Sequence, residues 1–283
     1  MKMIDVYCPA KVNLFLNVTR YDEQTQLHDI VSYNQTINMY DKVSIFDKFS
    51  KESSIKIVSK DNIPKDENNS AYRAAKVFFD YTLIPHKEFT ITINKGIPVG
   101  SGLGGESTDA AGVLLALNRY YNANLTRGEM LKLAYMVGSD VPYFIVGNFA
   151  KVTNYGKNVT SLVNNKYNFF LIIEPDFSLN TEEMYRKLDE YGLTRLEYNP
   201  CVLHNDFVHV MPEELKKLRE YLMQFKSLNH SLTGTGSSYF LANDVLCFDN
   251  HNMVHDIKKE FPKFKIYTHK KIEGHRFMTT TSF

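Results

Sequence analysis

Apolar and polar residues alternate through "PAKVNLFLNV" (9–18). Ala10, Val12, Leu14 and Leu16 take one side of an extended chain, and Lys11, Asn13 and Phe15 take the other. A period of two predicts a half-buried strand. "YDKVSIFD" (40–47) and "SSIKIVSK" (53–60) read as a further strand pair, and "EFTITINK" (88–95) alternates again with Phe89, Ile91 and Ile93 on one face. The period then changes. Ala71, Ala74, Ala75, Phe78 and Phe79 recur at helical spacing in "NNSAYRAAKVFFDYTL" (68–83), as do Ala110, Val113, Leu114 and Leu117 in "STDAAGVLLALNRYYN" (107–122). "TRGEMLKLAYMVG" (126–138) predicts another helix, started by Thr126 and stopped by Gly138.

The pattern restarts after about Asn158. "YNFFLIIEP" reads as a buried strand, "NTEEMYRKLDEYG" and "PEELKKLREYLMQF" as helices, and "SLTGTGSSYFLAN" as strand, turn and strand. "NMVHDIKKEF" then predicts a helix and "FKIYTH" a last strand. Strands and helices mix without the regular alternation of a doubly wound sheet, so the expected class is α+β in two lobes, residues 1–157 and 158–283.

Composition narrows the function. The 33 Lys and Arg against 32 Asp and Glu leave no basic footprint for nucleic acid. No apolar run approaches a membrane span, and Asp5, Lys11 and Asn13 interrupt any signal-peptide core. Cys8, Cys201 and Cys247 lack CxxC spacing, which argues against a disulfide framework or structural zinc and for a reducing cytoplasm. His251 and His255 stand four apart on a predicted helix but have no evident third ligand, and read as surface residues.

The chemistry concentrates in "GIPVGSGLGGESTDAA" (96–111). A glycine-rich turn leading into a helix gathers unpaired backbone N–H groups at the positive end of the helix dipole, which suits an anion. Gly100, Gly102, Gly104 and Gly105 remove the Cβ atoms that would hold a phosphate off, and Ser107 can cap the helix. The spacing matches neither GxxxxGK[ST] nor GxGxxG. Alone, the stretch could also be an ordinary turn. Lys11 and Asn13 could be a solvated strand face, Asp140 in "VGSDVPYF" a turn residue, and "LTGTGSSYF" (232–240) a tight hairpin.

Taken in order, "PAKVNLFL", "PVGSGLGGESTDAA" and "LTGTGSSYF" resemble the three motifs of the GHMP kinase superfamily. "LHDI", "GSDVPYF", "HNDF" and "NNSAYRAA" resemble its branch that phosphorylates a tertiary hydroxyl of a cytidine diphospho-alcohol in non-mevalonate isoprenoid synthesis. The resemblance implies a two-lobed fold with the active site in the cleft, ATP and Mg²⁺, a small-molecule acceptor, and a monomer or homodimer. It implies Asp140 as catalytic base with Lys11 beside it. Asn13, His28 and Tyr185 would hold the substrate. Asn69 and Lys95 would lie beside adenine and ribose, and Gly100, Gly102, Gly104, Gly105 and Ser107 would hold the phosphates.

Two residues depart from that pattern. Glu106 stands where the superfamily has a small residue. A carboxylate ~4 Å from a phosphate oxygen at an effective dielectric of about 20 is repelled by about 4 kcal/mol, and the helix dipole offsets only roughly 0.3–1 kcal/mol. The expected resolution is a side chain facing solvent. A magnesium-ligand role and a loop that no longer holds ATP well are the alternatives. Leu27 replaces a tyrosine, which removes one stacking plate for a base, a contact worth roughly 1–3 kcal/mol. A kinase for another small alcohol, or a ligand-binding protein with little turnover, therefore also remains open.

Overall fold

The computed structural model describes residues 3–48, 53–86, 88–193, 195–200, 202–225, 229–245 and 251–272. Cys201, Cys247 and residues 273–283 lie outside them. In chain order the elements are β1 (Met3–Asp22), β2 (Leu27–Lys48), β3 (Ser54–Val58), α1 (Ser70–Thr82), β4 (Glu88–Asn94), α2 (Gly105–Tyr120), α3 (Arg127–Val137), α4 (Val141–Val146), β5 (Phe149–Thr153) and β6 (Asn158–Ser161). There follow β7 (Phe169–Glu174), α5 (Thr181–Tyr191), β8 (His204–Asn205), α6 (Glu213–Met223), β9 (Asn229–Leu232), β10 (Tyr239–Asn243), α7 (His251–Glu260) and β11 (Lys265–Lys270).

Seven strands form the first sheet. Its main order is β3-β4-β2-β1-β8, and β5 joins β2 and carries β6. The expected pairing of "SSIKIVSK" with "YDKVSIFD" is corrected: β3 pairs in parallel with β4, and β4 lies between β3 and β2. Two polar-faced strands adjacent in sequence look like a hairpin, but Phe89, Ile91 and Ile93 are the more apolar partners and take the inner place. The second sheet has the order β11-β7-β10-β9. The chain changes sheets between Ser161 and Phe169.

Three apolar cores follow. Helices α1 to α4 cover one face of the first sheet through Phe78, Leu114, Leu117 and Leu133. Helices α5, α6 and α7 cover one face of the second through Leu188, Leu218 and Ile257. Between the sheets, Ala10, Val12 and Leu14 meet Phe170, Ile172 and Phe240. Strand β7 is thus covered on both faces, Phe170 and Ile172 on one and Leu171 and Ile173 on the other, which explains its unbroken apolar run. Its neighbours leave no room for the polar alternation of an exposed strand.

Strand β1 behaves differently from its expected half-burial. Ile4, Val6 and Cys8 pack against the helical layer, whereas Ala10, Val12 and Leu14 pack against the second sheet. A ladder irregularity between Pro9 and Ala10 separates the two sets. Beyond it the other side of the strand carries Lys11 and Asn13 toward the start of α2. Both are buried, at 3% and 4% exposure, so a solvated polar face is ruled out.

Candidate active site

Helix α2 begins at Gly105 behind a left-handed N-cap, Gly104, with φ of 78° and no side-chain cap. Ser107 therefore sits inside the first turn instead of capping it, a correction to the sequence reading. The cap position needs positive φ, which favours glycine over serine. Gly100 and Gly102 also have positive φ, 68° and 76°. A Cβ on Gly102 would lie 2.1 Å from the Thr233 carbonyl oxygen, so this loop packs backbone to backbone on the second glycine turn. Hydrogen bonds fix that contact. The Ser238 N–H donates to Ser101 O (3.0 Å), the Thr233 hydroxyl to Gly102 O (3.2 Å), and the Lys11 N–H to Leu103 O (2.9 Å).

The side chains of β1 and β2 complete the wall. Lys11 Nζ donates to Asn13 Oδ1 at 2.6 Å. The same oxygen accepts from the Gly234 N–H (2.7 Å) and lies 3.1 Å from the Thr233 hydroxyl, while Asn13 Nδ2 donates to Ser32 and Asn34. The amide of Asn13, which also lines the cavity, is engaged by the protein and holds Lys11 and the second glycine turn. Asn205 secures that turn from behind, its Nδ2 donating to Leu232 O (2.9 Å) and Gly234 O (2.8 Å).

Asp140 stands at the N-cap of α4 and makes no capping hydrogen bond there. It shares a cavity of about 360 Å³ with Lys11, the glycine loop, Glu106, Thr235 and Tyr185. Burial lowers the Lys11 pKa from its ordinary value, and the Asp140 charge opposes that shift. Replacing Asp140 with asparagine leaves burial unopposed, so Lys11 will titrate at lower pH in Asp140→Asn. NMR of labelled lysine side chains reads this directly, and an unmoved Lys11 titration would contradict the coupling.

Asn69 and Lys95 also reach the cavity, and both are anchored. Asn69 Oδ1 caps α1 through the Ala71 N–H (2.8 Å) and its Nδ2 donates to Pro64 O (2.8 Å). Lys95 lies between Asp41 and Asp109, 2.9 Å from the latter, and Asp41 also accepts from the Gly96 and Ile97 N–H groups. Burial lowers the Lys95 pKa, but Asp109 and Asp41 outweigh it and the net shift is upward. Burial pushes the Asp109 carboxyl up, against the pull of Lys95. Sequence reasoning missed Asp41 and Asp109. The only signal was a charged residue on the apolar stripe of α2.

His28 does not line the cavity. Its ring stacks on Tyr185 at 4.4 Å, lies 4.8 Å from Tyr21, and binds Asp189 Oδ1 through Nε2 at 2.8 Å. Tyr185 in turn meets Phe207 edge-on at 4.9 Å. Leu27, next to His28, is 43% exposed. Glu106 is exposed on the cavity rim and makes no ion pair among the described residues. His255 joins no metal-binding group among the described residues.

Two clasped glycine turns thus share one cavity with a lysine and an aspartate, on an α+β scaffold of two packed sheets each covered by helices. Residues 69–148 match the GHMP kinases N terminal domain, which sets the class. The chain is 31% identical over 267 residues to the 4-diphosphocytidyl-2-C-methyl-D-erythritol kinase of Clostridium beijerinckii, covering 85% of this chain and 92% of that one. It is 30% identical over 283 residues to the same-named kinase of Clostridium acetobutylicum, covering 92% and 98%. A crystal structure of 4-(cytidine 5'-diphospho)-2C-methyl-D-erythritol kinase shares the fold with a TM-score of 0.76 at 24% identity, over 95% of this chain and 100% of that one. The chain belongs to the 4-diphosphocytidyl-2-C-methyl-D-erythritol kinase family. GHMP kinases use ATP, so ATP is the implied phosphoryl donor. Among the described residues no helix is long and apolar enough to cross a membrane.

Proposed function

We propose that this protein transfers the γ-phosphoryl group of ATP to the tertiary hydroxyl of 4-diphosphocytidyl-2-C-methyl-D-erythritol. The observation that carries the mechanism is that Lys11 and Asp140 share one cavity with the glycine loop. The acceptor oxygen bonds to the γ-phosphorus as the bridge to the β-phosphate breaks, and ADP leaves. Asp140 takes the hydroxyl proton. Lys11, held by Asn13, stabilises the charge gathering between acceptor and phosphate. Because the transition state is loose, positioning and charge stabilisation supply most of the rate.

The site fits a nucleotide with its cation. The first-turn N–H groups of α2 have no acceptor within the helix, an arrangement that suits an anion. Ser107 and Asp109 offer oxygen donors on the same wall, and Asp109 Oδ1 is buried without a hydrogen-bond partner. Mg²⁺ held there would neutralise charge on the transferring phosphates. Asn69 and Lys95 flank the nucleoside end, and Tyr185 with His28 the acceptor end.

The stacked His28 and Tyr185 rings, with Leu27 in place of a second plate, favour a second reading in which a smaller alcohol is the acceptor. ADP release measured on the cytidine diphospho-alcohol, its base-free counterpart and unrelated alcohols separates the two. Turnover that needs the cytidine supports the first reading. Equal turnover without the base supports the second, and no ADP with any acceptor defeats both.

A further inference from the structure

Glu106 needs an electrostatic account that the kinase reading does not supply. The cavity wall carries two lysines, Lys11 and Lys95, against the carboxyl groups of Glu106, Asp109 and Asp140. Lys95 is already bound to Asp41 and Asp109, and Lys11 lies in the field of Asp140. Neither lysine lining the cavity remains to meet Glu106, yet it stands in the first turn of α2, beside the glycine cradle. A triphosphate placed in that cradle meets an uncompensated negative charge.

A divalent ion between them changes the sign of the contact. Mg²⁺ commonly takes one or two carboxylates together with substrate phosphates and keeps several waters. Glu106 is exposed and unpaired, so its side chain is free to turn inward. One turn along the helix, on the same cavity wall, Asp109 is buried and its Oδ1 has no hydrogen-bond partner. Residues three apart share a helix face. We propose that Glu106 is a ligand of the divalent cation that enters with the nucleotide, and that the free Oδ1 of Asp109 accepts from that cation's water shell. This inference rests on the ATP-binding reading above. It makes nucleotide binding here unusually dependent on the metal, because the same carboxylate repels bare ATP and binds the metal complex.

Calorimetric titration of the full chain with ATP, in Mg²⁺ and in EDTA, tests this on the wild type and on Glu106→Gln, an exposed and nearly isosteric change. Mn²⁺ replaces Mg²⁺ in a parallel relaxation-enhancement measurement on the ternary complex. The proposal expects the Mg²⁺-dependent gain in ATP affinity to shrink at least about ten-fold in Glu106→Gln. It also expects metal-free ATP to bind the variant more tightly than the wild type, and the bound Mn²⁺ signal to change. The same Mg²⁺ dependence in both proteins would mean a side chain turned to solvent and would overturn the proposal. An equal gain for the variant with and without metal would mark Glu106 as an obstruction and also overturn it. A wild type that binds no ATP in either condition would overturn the ATP reading itself.

Discussion

Asp140→Asn will lower kcat by about 10²–10⁴-fold, the usual range for losing a positioned general base, while ATP affinity changes only a few-fold. Asparagine keeps the shape of the side chain. Asp140 makes no capping hydrogen bond, so the start of α4, where Pro142 already favours the helical turn, loses nothing by the exchange. Thermal unfolding should therefore match the wild type, which separates chemistry from folding. Steady-state kinetics with saturating ATP measure the effect. Turnover within ten-fold of wild type would remove Asp140 from the reaction.

Gly102→Ala will damage the enzyme through geometry alone. Its Cβ would sit 2.1 Å from the Thr233 carbonyl oxygen and 2.8 Å from that of Gly236. The two glycine turns would have to separate, and with them the Gly234 N–H that holds Asn13 and, through it, Lys11. Overpacking combined with a left-handed alanine costs about 2–5 kcal/mol, a fall in Tm on the order of 10 °C for a chain of this size. Activity should fall further than stability, because the cradle and Lys11 move together. Gly192→Ala is the control: it too has positive φ, 107°, but a Cβ there meets nothing within 4 Å, so only the backbone cost applies. Equal losses in both variants would mean that contact between the turns matters little.

The contrast between these sites shows what the chain discloses before it folds. Helix α3 was legible because its signals are local: Thr126 and Glu129 form a reciprocal cap, and Gly138 ends the helix. Strand β4 was legible for the same reason, since one apolar face meets one core. The burial of Lys11 and Asn13 was not. It depends on the second glycine turn, 221 residues away from Asn13 in the chain, and no local pattern encodes a contact of that range. The ion pairs of Lys95 with Asp41 and Asp109 span 54 and 14 residues and were hidden likewise. Asn69 was noticed as a nucleotide-side residue, yet its visible duty is the start of α1. Motif order gathered the candidate residues, and only the fold showed which of them serve as anchors.

The most direct test is ³¹P NMR of the products formed from ATP and the cytidine diphospho-alcohol. The account predicts one new phosphate monoester on the carbon that bears the methyl group, formed in step with ADP and with the diphosphate link intact. ADP accompanied only by inorganic phosphate, or an unchanged acceptor, would contradict it.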